Sequence, residues 1–188
     1  MAIDWTAEVL DQIESHWQER LRPRLDGLSD EEYLWEPVAG CWSVHRRGES
    51  SAPVSWGSGD FTWDYGPETK PTPVTTIAWR LGHLIQGFAD TNAAFFLGGE
   101  RADAQTFDYP GTAEAALARL DEVYADFVAG VRSLGDAGLA EPQGDRSPPA
   151  FADAPVARVV LYMSVEAFHH GAEVCLLRDL YLSSFGAG

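Results

Sequence analysis

The residues best placed to do chemistry lie in one short stretch, Glu166-Ala167-Phe168-His169-His170-Gly171-Ala172-Glu173. Side chains four apart share a helix face. Glu166 and His170 therefore fall on one stripe with Val159, Met163 and Leu177, all of them apolar. Burying a bare carboxylate is costly unless something compensates it. A divalent cation does so, because two side chains from one helical turn can occupy neighbouring coordination positions. Helix bundles build such centres from side chains that project inward from facing helices. A plain Glu–His hydrogen bond, or a Glu paired with a buried arginine, would explain the same spacing, which matches no strong zinc signature.

A third ligand has to come from another element, and His16, His45, His83 and His169 are the candidates. Periodicity does not favour His83. The apolar side of its helix holds Ile77, Leu81, Leu84, Ile85 and Phe88, whereas His83 falls nearer Arg80, Gly87 and Asp90 and reads as an edge histidine. His169 is about 100° round the helix from His170 and reads as a packing or hydrogen-bonding residue. Glu173 lies close to the His170 face and could accept a hydrogen bond that orients a ligand imidazole. Cys175 is off that face and reads as core; Arg178 and Asp179 read as structural pairs near the helix end.

Four helical stretches must position these groups. The first runs from about Asp4 to Leu25, with Trp5, Val9, Ile13, Trp17 and Leu21 as its stripe, Asp4 as N-cap, and Pro23 and Gly27 as stop signals. The second spans about Val74–Leu97, capped by Thr75 or Thr76 and stopped by Gly98-Gly99. The third spans about Thr112–Leu134, with Thr112 as cap. The fourth, about Pro155–Leu182, starts on a proline and is apolar nearly all round, which places it centrally. Between the first two lies a long segment, 26–73, with Ser29-Asp30-Glu31-Glu32 as a capping box and then Trp35, Trp42, Trp56 and Trp63. So long a connection is often a functional wall or lid; a Trp-lined crossover covering the core is the alternative. No segment longer than a few residues alternates as a strand, apart from short pieces in this long segment. The expected fold is all-α, a four-helix bundle with a long crossover between its first and second helices, in a single domain covering 1–188.

The chain's 188 residues carry a net charge of −16, with 29 acidic and 13 basic side chains. Nucleic-acid affinity rests on neutralising phosphates, so this balance argues against nucleic acid and against anionic membranes. Two cysteines, Cys41 and Cys175, suggest neither a disulfide framework nor a zinc knuckle. Neither a signal peptide nor an apolar run of about 18 residues is visible, so the cytoplasm is the expected compartment. A chain of this length needs no metal to fold, so any metal would be functional.

Three stretches together resemble the DinB-like superfamily: Leu28-Ser29-Asp30-Glu31-Glu32 running on to Trp42-Ser43-Val44; Thr76-Ile77-Ala78-Trp79-Arg80-Leu81-Gly82-His83-Leu84; and Glu166 through Tyr181. The resemblance implies a divalent metal, often zinc or nickel, held by one His of the second helix and two residues four apart on the fourth: here His83, Glu166 and His170. Most members carry His at the first of the paired positions. Glu166 is instead similar to the mycothiol-dependent maleylpyruvate isomerase branch. That likeness implies a low-molecular-weight thiol such as mycothiol or bacillithiol as co-substrate, and a homodimer as a common assembly.

Two His and one carboxylate leave a cation with open positions, which favours chemistry or ligand capture over a closed structural site. A cation there could lower the pKa of bound water or of a thiol. The expected function is a metal-dependent thiol S-transferase or isomerase acting on a small electrophile, with Glu173 or a loop residue as a possible base. A metal-dependent hydrolase and a non-catalytic, stress-related ligand-binding bundle are the alternatives.

Overall fold

Polar caps and glycines decide where the helices start and stop. The computed structural model describes residues 3–67 and 70–185. Asp4 caps α1 (Trp5–His16), its side chain accepting from the Ala7 N–H at 2.9 Å. The chain then tightens through a π turn (Trp17–Leu21) and a 3-10 turn (Arg22–Leu25) that carries Pro23. Ser29 caps the short α2 (Asp30–Tyr33), accepting from Glu32 N–H. Thr76 caps α3 (Ile77–Asn92), which ends in a π turn and then Gly98 at φ 70°, a conformation open to glycine. Thr112 caps α4 (Ala113–Ala140), a helix that continues past the expected end but is broken at Gly135. The last helix, α5, spans Val156–Phe185.

The chain is mostly helical, but the expectation of an all-α fold needs correcting. Within the long segment, β1 (Val44–Arg46), β2 (Val54–Trp56) and β3 (Phe61–Tyr65) form a three-stranded antiparallel sheet in the order β1-β3-β2. Val44 pairs with Trp63 on one side and Trp56 pairs with Trp63 on the other. Strands of three to five residues are too short to show period-two alternation, and glycines and serines interrupt them. Their aromatic and β-branched content was the available signal.

A second correction concerns which helix is enclosed. α3 packs against both α4 and α5, and α1 packs chiefly against α4. Leu81, Ile85 and Phe88 of α3 are fully buried with Leu120 and Phe127 of α4, and Trp17 stacks on Tyr124. Each such side chain contributes about 1.5–3 kcal/mol by burial. α5, read as central from its composition, leaves Leu161, Val165 and Leu176 exposed along one face. An apolar sequence all round a helix reports its composition and not what covers it. Among the described residues, no helix is long and apolar enough to cross a membrane.

Candidate metal centre

Gly87 of α3 lies against Met163 of α5 where the two helices pack. A Cβ there would sit 3.4 Å from Met163 Cε. One turn away, His83 of α3 faces Glu166 and His170 of α5. Glu166 Oε2 lies 3.1 Å from His83 Nε2 and 3.2 Å from His170 Nε2, and the two imidazole rings meet edge to face at 4.9 Å. Donor atoms from all three residues lie within 4.8 Å of one another and could hold a metal ion. The side chains of His83, Glu166 and His170 are 33%, 20% and 11% exposed, so the cluster is largely withdrawn from water yet accessible from one side.

Proton placement tests whether these residues suit a cation. His170 Nδ1 lies 2.6 Å from Glu173 Oε2. Glu173, which only accepts, is matched by a proton on Nδ1, whereas Arg80 Nη1, which only donates and lies 3.2 Å from the same nitrogen, is matched by its lone pair. In the Nδ1–H tautomer a neutral His170 turns its Nε2 lone pair toward Glu166 Oε2, another acceptor. His83 can donate from Nε2 to the same oxygen, but one acceptor–acceptor contact is left over. A further proton or a cation resolves it, and a divalent ion accepts all three donors at once. The residues fit a divalent metal.

The surroundings hold His83 and Glu166 in their deprotonated forms. Arg80 lies beside the same imidazole, Nη1 3.2 Å from His170 Nδ1 and Nε 3.1 Å from Glu173 Oε2. The Arg80 Nε–H is not aligned on that carboxylate and makes no hydrogen bond. Burial holds the Arg80 pKa below its ordinary value, with Glu173 opposing. Burial likewise pushes the His83 imidazole below its ordinary value; Arg80, and His170 whenever it is protonated, act in the same direction, and the Glu166 hydrogen bond only partly offsets them. Burial pushes the Glu166 carboxyl up, but the His83 hydrogen bond, the charges of His83 and His170 and a hydrogen bond from Tyr162 outweigh it, and the net shift is downward. A neutral His83 and an ionised Glu166 are the forms that bind metal.

The Trp-rich segment forms a wall behind the centre. Trp63 of β3 donates from Nε1 to Trp79 O at 3.0 Å, and Trp79 donates from Nε1 to Asp64 O at 2.8 Å. The two indoles stack on each other at 4.6 Å, and both lie roughly parallel to the His83 ring. On the opposite side the centre opens into a cavity of about 290 Å³, bounded by His83, Glu166, Leu84, Met163, Val159 and Phe95.

A DinB superfamily model matches residues 12–174. The chain belongs to the DinB superfamily. No curated protein and no solved structure matches it. Members of the DinB superfamily are often metal-dependent, in keeping with the donor set found here.

Of the histidines weighed from sequence in this DinB-superfamily chain, His83 and His170 meet at Glu166 and the others do not. His16 packs on Phe168 at 4.6 Å, and burial lowers its pKa. His45 pairs with Asp64 in the sheet. His169 is mostly exposed, with Nε2 3.4 Å from Glu173 Oε1; with His170 and Glu173 it forms a second, overlapping group of possible ligands. Cys41 and Cys175 are both free thiols, the second only half-buried. Arg178 and Asp179 form the expected pairs: Arg178 Nε with the buried Glu32 at 3.0 Å and Asp179 with Arg24 at 2.5 Å. The sequence reading weighed the Trp-rich segment as a wall but missed Arg80, Tyr162 and the part of Trp79 in that wall. Arg80 and Tyr162 were detectable, standing three residues before His83 and four before Glu166 on the same helix faces.

Proposed function

We propose that this chain is a metal-dependent enzyme, a thiol S-transferase or isomerase in which His83, Glu166 and His170 hold the metal and a small electrophile is the substrate. The observation that carries the reading is the convergence of three donors from two helices at the mouth of a cavity. Three protein donors leave coordination positions open. Zinc or nickel suits the imidazole and carboxylate donors. When bound, the metal supplies Lewis-acid chemistry that lowers the pKa of a thiol or water at its open positions.

The chain's own residues do the positioning. Glu173 holds the proton on His170 Nδ1 and so keeps Nε2 free. Arg80 holds Glu173 by charge. Tyr162 stands one turn before Glu166 on the cavity wall and helps keep its carboxyl ionised. Met163, Val159 and Leu84 exclude water from the cavity side. Glu166 in place of a third histidine supports the likeness to mycothiol-dependent maleylpyruvate isomerases, and hence mycothiol or a similar thiol as co-substrate. The cytoplasm, where such thiols stay reduced, is the compartment this reading implies.

The test is turnover of 1-chloro-2,4-dinitrobenzene by zinc- or nickel-loaded protein with mycothiol, bacillithiol and glutathione in parallel. The reading expects conjugate formation that requires a thiol and is lost in Glu166→Ala. No conjugate with any thiol at full metal occupancy would overturn it. Hydrolysis of ester substrates without thiol would select the hydrolase alternative instead.

A further inference from the structure

The cavity beside the centre has a second chemical feature that the proposed function does not use. Two guanidiniums, Arg101 and Arg146, stand on its walls across from Met163 and Val159. They are not equivalent. Arg101 grips Asp90 with two N–H groups, Nε lying 2.6 Å from Oδ1 and Nη2 bonding Oδ2, so its charge is cancelled. Its Nη1 donates to the Arg146 carbonyl at 3.0 Å and pins that residue's backbone.

Arg146 has no acid. Its Nε donates to Gln143 O at 2.9 Å, its Nη2 donates to Pro142 O at 2.8 Å, and its guanidinium lies 5.0 Å from the Phe95 ring centre. Among the described residues, this guanidinium is held by neutral groups and not by a carboxylate. Its loop is anchored: the buried Gln143 side chain donates to Pro155 O at 3.1 Å and accepts from Ser147 Oγ at 2.6 Å. The charge is therefore fixed in place and uncompensated, in a chain whose net charge is −16.

A fixed guanidinium presents a planar fork that matches a carboxylate. A mainly apolar cavity with a few polar groups is the ordinary form of a small-molecule site, and about 290 Å³ lies at the small end of the range; of the charged groups on this one, Arg101 and Asp90 pair with each other and Glu166 belongs to the metal centre, which leaves Arg146. We propose that Arg146 is the anion-recognising residue of this cavity, and that its ligand is a small carboxylic acid whose apolar body lies along Met163, Val159 and Phe95 toward His83 and Glu166. As a substrate class this rests on the proposed function; as a binding site it does not.

The probes are ω-phenylalkanoates from phenylacetate to 5-phenylpentanoate and the matching primary amides. Binding is measured by calorimetry on the full chain, both zinc-loaded and metal-stripped. In wild type at least one chain length should bind about tenfold more tightly as acid than as amide, the scale of a charge-assisted hydrogen bond. Arg146→Met should abolish that preference and Arg146→Lys should keep part of it. Equal binding of acids and amides to wild type would overturn the proposal without any variant. So would an acid preference that survives Arg146→Met, or one present only in the zinc-loaded protein, where the carboxylate would be sitting on the metal. The failure of thiol turnover would sink the proposed function alone, because the acid preference of metal-stripped protein would persist.

Discussion

Two histidine–carboxylate pairs in this molecule have nearly the same separation and opposite characters. In the sheet, His45 Nε2 lies 3.0 Å from Asp64 Oδ2. Between α3 and α5, His83 Nε2 lies 3.1 Å from Glu166 Oε2. Asp64 is 1% exposed and saturated with donors: the Ser43 N–H at 2.9 Å and His45 on Oδ2, and the Ser50 hydroxyl at 2.5 Å on Oδ1. Glu166 instead faces two imidazole nitrogens on a single oxygen. A cleft of about 350 Å³ lies beside His45, larger than the cavity at Glu166, yet its acidic neighbours do not converge on the imidazole. Neither a His–carboxylate distance nor the size of a neighbouring cavity separates the two pairs; what separates them is the second imidazole, which brings three donor atoms within 4.8 Å of one another at Glu166.

The comparison can be broken most forcefully at Asp64. Asp64→Ala strands the Ser43 N–H and the Ser50 and His45 side chains in a buried site. It should cost about 3 kcal/mol of folding stability, read by urea denaturation, while zinc stoichiometry stays that of wild type. Metal loss in a still-folded variant would show that the two pairs are not independent.

Glu173→Ala tests the proton placement on that second imidazole. With His170 Nδ1 no longer held, Nε2 loses its assigned lone pair. Zinc affinity should fall roughly 10- to 100-fold with folding stability little changed, as measured by competition with a chromophoric chelator. Glu173→Gln should recover part of the affinity by accepting from Nδ1 through its amide oxygen. Unchanged affinity in both variants would remove Glu173 from the centre.

Acid should separate the two regions more gently. The folded-state pKa of His83 lies below the ordinary 6.5. Below pH 6.5 the unfolded chain therefore takes up a proton that folded His83 resists, and stability falls as pH is lowered toward the folded value. The depressed Glu166 pKa acts in the same direction at still lower pH. Zinc binding should stay full at pH 7 and weaken as pH drops through this window, because protonated ligands do not bind. A zinc affinity flat from pH 7.5 to 5 would contradict the ligand assignment.

Much of this was legible in the residues. Asp4, Ser29, Thr76 and Thr112 cap helices as their types suggest, because a side-chain oxygen three residues before a free N–H is a local device. The Glu166–His170 spacing was local too. His83 was not. Its helical position faces Arg80 and Asp90 as well as α5, so period alone reads it as an edge residue, and only the resemblance brought it to the centre. The sheet was hidden because three-residue strands carry no period. The exposed face of α5 was hidden because composition does not say what covers a helix.

The most direct test of the central claim is metal content by elemental analysis of wild type, Glu166→Ala and His45→Ala after zinc loading and gel filtration. Wild type and His45→Ala should each carry one zinc per chain, and Glu166→Ala should carry none while remaining folded by circular dichroism. Stoichiometric zinc in Glu166→Ala, or none in wild type, would contradict the account.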